Sequence, residues 1–260
     1  MDLHLRGKRV LITGASKGIG AAAAEAFAEE GCHLHLAARN NAMMEELAQR
    51  LRKAHGVEVT CHVTDLRNAD DLARLAERAW PVDILVYNAG DIPQGTLEMV
   101  DETKWRHAWE LKVFGYINLT RLVYARMKAQ GHGVIINDLG AAGERLNAGY
   151  IAGSTGNAAL MAFTRTLGGS SLKDNIRVVG INPGPVETDR MTYRLKEVAK
   201  RQLADEGRYR ELIKSYPLER AAKPREIADM MAFLASDRSG YTTGVIMTID
   251  GGLTAGGWTM

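Results

Sequence analysis

A glycine-rich segment near the start of the chain has the residue types and the spacing of a phosphate-binding loop. Gly14, Gly18 and Gly20 follow the apolar run at 9–12 and precede an alanine-rich stretch at 21–28. Glycine lets the backbone turn tightly and approach a pyrophosphate, whose negative charge is stabilised by the start of the following helix. Because an apolar strand pattern precedes this glycine loop and a helical pattern follows it, the segment predicts a dinucleotide site. The loop also contains Ser16, Lys17 and Ile19.

The residues at the end of the apolar run 33–38 predict which dinucleotide binds. A fold that recognises the ribose hydroxyls of NAD(H) has an acidic residue there, and that acid repels the 2′-phosphate of NADP(H). This chain has Ala38, Arg39 and Asn40 instead. Arg39, with Lys17 as a second cation, suits the phosphate through charge-assisted hydrogen bonds. The sequence therefore predicts NADP(H), with an ordinary surface role for Arg39 as the alternative.

The elements that must position these residues alternate along the whole chain. Short apolar runs are followed by longer helical patterns, which is typical of repeated βα units and a parallel sheet. Right-handed crossovers place helices on both faces of such a sheet, and ligands bind at the carboxyl ends of its strands. We therefore predict one α/β domain over residues 1–260, with a doubly wound, seven-stranded parallel sheet. The predicted strands are 8–13, 33–38, 57–62, 82–87, 133–138, 176–181 and 245–249.

Composition gives no reason to expect a nucleic-acid or membrane partner. The 260 residues are 46% hydrophobic, and 33 basic against 31 acidic residues give a formal net charge of +2, which indicates a mixed-sign, solvated surface. No stretch reaches the roughly 18 apolar residues of a membrane span, so we expect a cytoplasmic protein. Cys32 and Cys61 lack CxxC spacing, which argues against a disulfide or metal role.

The segment 189–223 interrupts the regular alternation. Its charged helical pattern follows a proline-glycine turn, which favours a lid over the site, with a solvated surface insertion as the alternative. Met191, Tyr193, Leu195 and Trp258 are candidate pocket walls, although apolar residues at such spacing more often serve plain packing.

Five motifs, taken in order, resemble the classical short-chain dehydrogenase/reductase family, and the resemblance covers nearly the whole chain. They are TGASKGIG at 13–20, Asp65, Asn-Ala-Gly at 88–90, Tyr150 and Asn-Pro-Gly-Pro-Val-Glu-Thr at 182–188.

The resemblance implies a Rossmann-type fold with a bound nicotinamide cofactor. It places Asp65 and Leu66 against the adenine, and it assigns a supporting role at the sheet and the adenosine side to 88–90. It further implies a homodimer or homotetramer built through helices near 101–130 and 150–173. The residues that it assigns to the cofactor, beyond the glycine loop, are Asn88, Ala89, Gly90, Tyr150, Pro183, Gly184, Val186 and Thr188.

In the family, hydride passes between the nicotinamide and a carbonyl or alcohol carbon while a tyrosine hydroxyl transfers the proton. A lysine four residues later lowers that tyrosine's pKa and holds the ribose, a serine polarises the substrate oxygen, and an asparagine supports a proton-relay water. Of these four groups only Tyr150 is retained in this chain. Ser154 stands at the lysine position, Gly140 at the serine position and Lys112 at the asparagine position.

These replacements leave three functional readings. The first is an NADP(H)-dependent oxidoreductase that reduces a ketone or aldehyde slowly, with Tyr150 as proton donor. In it, Lys112 turns into the site and supplies the charge that Ser154 cannot, unless it instead extends outward into solvent. The second is a non-catalytic NADP(H)-binding sensor or scaffold, and the third is a repurposed pocket for non-redox chemistry.

Overall fold

The computed structural model describes residues 1–256, so Trp258 lies outside the described part of the chain. The centre of the fold is a seven-stranded parallel sheet with the strand order β3-β2-β1-β4-β5-β6-β7. The seven predicted strands and the doubly wound fold class are confirmed, with shifts of only a few residues at their ends. The strands are β1 Arg9–Thr13, β2 His33–Ala38, β3 Val59–Val63, β4 Ile84–Tyr87, β5 Gly133–Asp138, β6 Ile176–Pro183 and β7 Ile246–Ile249.

Helices cover both faces of the sheet. They are α1 Gly18–Glu29, α2 Asn41–His55, α3 Ala69–Arg78, α4 Glu102–Trp109, α5 Gly115–Gln130, α6 Ile151–Ser171, α7 Asp189–Leu203, α8 Tyr209–Ile213 and α9 Pro224–Ala235. One apolar core contains Phe27 of α1 and Met231 of α9. The other contains Leu119 of α5 and Leu160 of α6. None of the helices within residues 1–256 has the length and apolar character of a membrane span.

The strand order fixes where a ligand can bind. β1 pairs with β2 on one side and with β4 on the other, so the direction of winding reverses between these neighbours. A crevice opens at the carboxyl ends of the strands at such a reversal. The glycine loop that follows Thr13 and the 88–90 segment that follows Tyr87 both begin at this edge.

A π-helical turn at Glu110–Phe114 joins α4 to α5. One extra residue in a turn shifts the face that the following side chains present, and such turns are frequent at functional sites. Lys112 and Val113, inside this turn, are both buried. The turn therefore directs a lysine toward the protein interior instead of toward solvent.

The segment 189–223 folds as α7, α8 and short 3₁₀ turns at Glu206–Arg208 and Pro217–Glu219. Leu195 on α7 is buried, whereas Tyr193 is 67% exposed and Met191 is partly buried. The three predicted wall residues of this helix therefore do not share one apolar face.

Candidate active site

The glycine loop forms one tight unit with the first turn of α1. Gly14 and Gly18 have positive φ angles of 65° and 59°, a region that glycine reaches without steric cost. A β-carbon on Gly20 would lie 2.3 Å from the main-chain oxygen of Gly14, so no side chain fits there. This leaves backbone N–H groups and a helix start as the site's surface, as a pyrophosphate requires. Of the other loop residues, Ser16 and Ile19 are partly buried and Lys17 is exposed.

The 88–90 segment is bonded to the glycine loop. The main-chain N–H groups of Asn88 and Ala89 donate to Thr13 Oγ1 at 3.0 and 3.2 Å. The Asn88 amide donates to the main-chain oxygens of Thr13 and Gly14 at 3.0 and 3.2 Å. These bonds hold together the carboxyl ends of β1 and β4, which is the supporting role that the sequence predicts for this segment.

The end of β2 presents a solvent-exposed cation. Arg39 is exposed, and its charge contributes to the lowered pKa of the Asp65 carboxyl. Asn40 caps the start of α2, because its side-chain oxygen accepts a hydrogen bond from Met43 N at 3.1 Å. Asn40 therefore caps a helix, in addition to the role in cofactor binding that the sequence predicts for it.

Asp65 is already paired with a cation that the sequence reasoning missed. Arg67 Nε donates to Asp65 Oδ1 at 2.8 Å, and the hydrogen bond to Arg67 is the main cause of the lowered pKa of Asp65. Arg67 Nη1 also contacts the His107 ring. The Leu66 side chain packs into the core that contains Leu119, and its contact with the adenine stays a prediction.

The segment after β6 lies against the glycine loop. Gly184 N donates to Ile249 O at 2.9 Å, and a β-carbon on Gly184 would meet Asp250 Cβ at 2.5 Å. Thr188 caps α7 by accepting a hydrogen bond from Met191 N at 3.2 Å. Its methyl group lies 3.3 Å from the β-carbon position of Gly18. Pro183 is the last residue of β6, and Val186 belongs to the segment that follows it.

Tyr150 stands immediately before α6, and the main chain on either side of it is bonded to Gly95. Gly95 N donates to Gly149 O at 2.8 Å, and Ile151 N donates to Gly95 O at 3.4 Å. The Tyr150 side chain lies against α7: the Arg194 guanidinium carbon is 5.2 Å from the ring centre.

Arg190 and Arg194 bind the loop after β4. Arg190 Nη1 donates to Gly90 O at 2.7 Å, and its Nη2 donates to Ile92 O at 3.1 Å. Arg194 Nη2 donates to the same Ile92 oxygen at 3.1 Å. Burial and the neighbouring Arg194 lower the pKa of Arg190, while Tyr150 and Asp91 oppose that shift. The sequence signal for this pair was only two arginines one helical turn apart, directly after the 182–188 motif.

Lys112 turns into the interior, not outward. Its Nζ donates to Tyr116 Oη at 2.8 Å and to the main-chain oxygens of Asp138 and Leu139 at 2.7 and 3.1 Å. Its stem packs on Gly90, where a β-carbon would lie 2.6 Å from Lys112 Cδ. An ammonium has three N–H donors, and these three acceptors use all of them. Within residues 1–256 it forms no hydrogen bond with Tyr150.

The Asp138 carboxyl is buried near the Lys112 ammonium and interacts with it by charge, although the two side chains form no ion pair within 4 Å. Burial lowers the pKa of Lys112 and the Asp138 charge opposes that shift. Burial likewise raises the pKa of Asp138, which the Lys112 charge opposes. Asp138 Oδ1 has no hydrogen-bond partner within the described residues. The two groups are thus a desolvated pair whose charges depend on each other.

Ser154 and Gly140 both have structural uses. Ser154 is buried, and its Oγ accepts a hydrogen bond from Asn147 N at 3.1 Å, which fastens the loop before Tyr150. Gly140 has φ +150°, and a β-carbon there would lie 3.0 Å from Asn157 Nδ2. The backbone at 140 has therefore adapted to glycine, and a serine does not fit it without a shift.

Comparison with known proteins identifies the family. Residues 14–254 match the family model described as enoyl-(acyl carrier protein) reductase. The chain is 33% identical to the 3-oxoacyl-[acyl-carrier-protein] reductase FabG of Thermotoga maritima, over 96% of this chain and 99% of that protein. The chain belongs to the short-chain dehydrogenase/reductase family. It is therefore a member of an oxidoreductase family, as the motifs predict.

Solved structures of other short-chain dehydrogenases/reductases share the whole fold. The L-sorbose reductase of Gluconobacter frateurii, complexed with NADPH and L-sorbose, is 35% identical with a TM-score of 0.91, covering 98% of this chain and 99% of that one. A 7α-hydroxysteroid dehydrogenase complexed with NADH and 7-oxo glycochenodeoxycholic acid is 28% identical with a TM-score of 0.86, covering 96% of each chain. Because one relative carries NADPH and the other NADH, family membership leaves the choice of cofactor to local residues.

Proposed function

We propose that this short-chain dehydrogenase/reductase is an NADP(H)-dependent reductase of a small ketone or aldehyde, with Tyr150 as proton donor. The observation that carries the cofactor choice is the exposed Arg39 at the end of β2, without an acid at that position. Lys17 is a second exposed cation in the glycine loop, and the nearby Asp65 carboxylate is paired with Arg67. A phosphate in this region meets positive charge, which favours NADP(H).

The residues present fit such a cofactor. Gly14 and Gly20 pack so closely against Asn88 and the loop's own main chain that no side chain fits there, which leaves a main-chain surface for a pyrophosphate. Thr188 lies next to Gly18. A bound NADPH would supply a hydride to the carbonyl carbon. Tyr150 then donates its hydroxyl proton to the carbonyl oxygen, which becomes an alcohol.

Lys112 has a supporting role in this proposal. Its ammonium is bound by three oxygens and lies beneath Gly90, so it contributes charge near the cofactor segment without donating to the substrate. With glycine at 140 in place of the serine, the substrate oxygen receives hydrogen bonds only from Tyr150 and from backbone or water donors. We expect slow turnover because the serine donor is lost.

A non-catalytic NADP(H) binder is the second candidate. The structural uses of Ser154 and Gly140 favour it, because both family positions now serve the fold instead of the chemistry. The two candidates predict the same cofactor binding and differ in hydride transfer. The family assignment favours the oxidoreductase over a repurposed non-redox pocket.

Calorimetric titration with NADPH and with NADH tests the cofactor proposal. We expect tighter binding of NADPH, and Arg39→Ala should remove most of that preference, by about tenfold for a lost charge-assisted bond of about 1.5 kcal/mol. Arg50→Ala, which removes an exposed arginine on α2 and leaves Arg39 at the end of β2 unchanged, is the matched control. Equal affinity for both dinucleotides, unchanged in Arg39→Ala, contradicts the proposal.

Transfer of deuterium from 4-deuterated NADPH to a carbonyl panel separates the two candidate functions. Stereospecific label in the product alcohol supports the reductase, and Tyr150→Phe should reduce its rate by at least about 100-fold. Tight NADPH binding without labelled product refutes the reductase in favour of the binder.

We also propose a homodimer or homotetramer in the cytoplasm, formed through α5 and α6. Phe114, at the start of α5, is 45% exposed and Leu122 on that helix is 37% exposed; apolar residues in this position suit an interface. Light scattering after gel filtration measures the mass, and Phe114→Glu with Leu122→Glu should yield the monomer. A wild-type monomer contradicts this proposal.

A further inference from the structure

A cation of α7 lies beside the tyrosine that the proposed reduction uses as its proton donor. The Arg194 guanidinium carbon is 5.2 Å from the centre of the Tyr150 ring, which is the geometry of a cation–π contact. Tyr150 is partly exposed, and its hydroxyl is carried by the same ring. A substrate that accepts the hydroxyl proton must lie at the edge of this ring, so it also lies close to the guanidinium.

Only part of the hydrogen-bonding capacity of Arg194 is used by the protein. An arginine side chain has five N–H donors, and Arg194 donates from Nη2 to the main-chain oxygen of Ile92 at 3.1 Å. None of the ion pairs within residues 1–256 includes Arg194. The side chain is partly buried, so its remaining N–H groups can bind an anionic ligand at a site that is only partly open to water.

The charges around Arg194 are mainly positive. Arg190, one helical turn earlier, donates to two main-chain oxygens of the loop after β4 at 2.7 and 3.1 Å. In the described chain its one ion-pair partner is Asp91, at 3.4 Å, and the Asp91 side chain is 75% exposed. Two guanidiniums therefore share one solvated carboxylate, which leaves a net positive charge next to Tyr150.

We propose that the substrate carries a carboxylate in addition to its reducible carbonyl group, and that Arg194 is the specificity-determining residue that binds this carboxylate. The inference deepens the proposed reductase function and rests on it. Arginine presents paired N–H groups whose spacing matches the two oxygens of a carboxylate. The Ile92 oxygen and the Tyr150 ring already hold the guanidinium in place, so little side-chain entropy is lost when the substrate binds.

The product of such a reduction is a hydroxy acid. The carbonyl carbon accepts the hydride of NADPH, which is oxidised to NADP⁺, and the carbonyl oxygen accepts the proton of the Tyr150 hydroxyl. A proton from water restores the phenol. The substrate carboxylate keeps its charge throughout, and its contact with Arg194 places the carbonyl without a part in the transfer itself.

Paired substrates test the role of Arg194 in specificity. Pyruvate and levulinate are methyl ketones that differ in the spacing between carbonyl and carboxylate, and each has a neutral amide of nearly the same shape. For at least one pair we expect the acid to have a higher kcat/KM than its amide. Arg194→Met should lower this acid-to-amide ratio at least about tenfold, mainly through the KM of the acid, as for a lost hydrogen bond to a charged group. Arg194→Lys should restore part of the ratio.

A second lysine-to-methionine variant on the same helix is the matched control. The Lys196 ammonium lies 5.8 Å from the centre of the Tyr209 ring, so Lys196→Met removes a cation that stacks on a different tyrosine and should leave the ratio unchanged. In Arg194→Met the Ile92 oxygen keeps its hydrogen bond from Arg190, so the loop after β4 stays anchored. Equal losses for acid and amide in Arg194→Met would assign Arg194 to support of the loop and the ring, and would overturn the inference.

Calorimetry separates this inference from the reductase function itself. Each acid and each amide is titrated into protein saturated with NADP⁺, a state in which no ketone is reduced. Binding of one acid at least about tenfold tighter than its amide, with that preference lost in Arg194→Met, supports the carboxylate site. A wild type that shows this binding but transfers no hydride refutes the reductase alone. Reduction of both amides as efficiently as their acids, with equal binding, overturns the carboxylate site and leaves the reductase function standing.

Discussion

Replacement of Lys112 by methionine is the substitution whose effect on the free energy of unfolding follows most directly from the structure. Methionine is close to lysine in volume and removes the ammonium without opening a large cavity. The change leaves the Asp138 carboxyl without a nearby positive charge. This carboxyl is buried, and one of its oxygens has no hydrogen-bond partner in the described structure. The main-chain oxygens of Asp138 and Leu139 lose a donor as well.

The expected magnitude follows from burial. Lys112 is 7% exposed and Asp138 is 5% exposed, so solvent screens the pair little. Removing one partner of a buried ion pair in direct contact costs about 3–5 kcal/mol. Lys112 and the Asp138 carboxyl interact by charge without such a contact, so the low end of this range applies. We expect about 3 kcal/mol, because Tyr116 still donates to Asp138 O and the carboxyl can take up a proton.

The sign of the pH dependence distinguishes this cause from a packing defect. Burial raises the pKa of Asp138 to about 7, and the Lys112 charge holds it down, so the variant should have a still higher value. A carboxyl whose pKa is raised on folding stabilises the folded state at low pH, and that contribution is lost as pH rises through the folded pKa. Relative to the wild type, Lys112→Met should therefore lose a further 1.4 kcal/mol or so for each pH unit from about 7 up to the folded pKa of Asp138 in the variant.

Urea unfolding at about pH 6 and about pH 8, followed by tryptophan fluorescence, measures both effects. Lys104→Met, which removes an exposed lysine paired with Asp101 on α4, is the control and should change the free energy of unfolding by less than about 0.5 kcal/mol. Lys112→Met combined with Asp138→Leu should regain most of the lost stability, since no buried charge remains.

Two results would refute this reasoning. One is a Lys112→Met variant as stable as the wild type at both pH values, which would mean that the ammonium is not a desolvated partner of Asp138. The other is a double variant no more stable than the single one, which would assign the loss to packing.

Three further predictions concern the glycines and the histidines. Gly140→Ser should reduce the free energy of unfolding in urea by about 1–3 kcal/mol, because φ is +150° and the new β-carbon meets Asn157. We also expect no rise in kcat. A variant as stable as the wild type and with a higher kcat contradicts this prediction. Gly20→Ala should abolish NADPH binding in calorimetry, since its β-carbon would lie 2.3 Å from a main-chain oxygen of the glycine loop; unchanged affinity contradicts it. Burial and the neighbouring His62 lower the pKa of His35 to about 4, so stability present above about pH 6.5 should be lost as pH falls toward about 4. His35→Asn should flatten this fall in urea unfolding, and an unaltered slope is the contradicting result.

The sheet was predictable from sequence because its signal is local. An apolar run such as Ile84–Tyr87 is buried at all four positions, and burial on both faces of a parallel strand produces such a run. The glycine loop was predictable for the same reason, since its strand, its turn and its helix are consecutive. The ends of the strands differ by a few residues because pairing with a neighbour decides where a strand stops.

The environment of Tyr150 was not predictable in this way. The contacts of Arg190 join residues about 100 positions apart, and no pattern around residue 190 indicates its partner. The direction of Lys112 was left open because the π-helical turn at Glu110–Phe114 breaks the 3.6-residue period on which such predictions rest. The pairing of Asp65 with Arg67 is close in sequence, yet a charged pair two residues apart has no fixed geometry outside regular structure.

The hydrogen bond between Ser154 and Asn147 bears on any attempt to install a lysine beside Tyr150. Ser154→Lys would release the loop before Tyr150 and place a second ammonium at a buried position. Gly140→Ser would add a side chain where φ is +150° and Asn157 Nδ2 is 3.0 Å from the new β-carbon. We expect each substitution to be destabilising on its own, so a redesigned catalytic set would need compensating changes in the loop and the helix that now hold these residues.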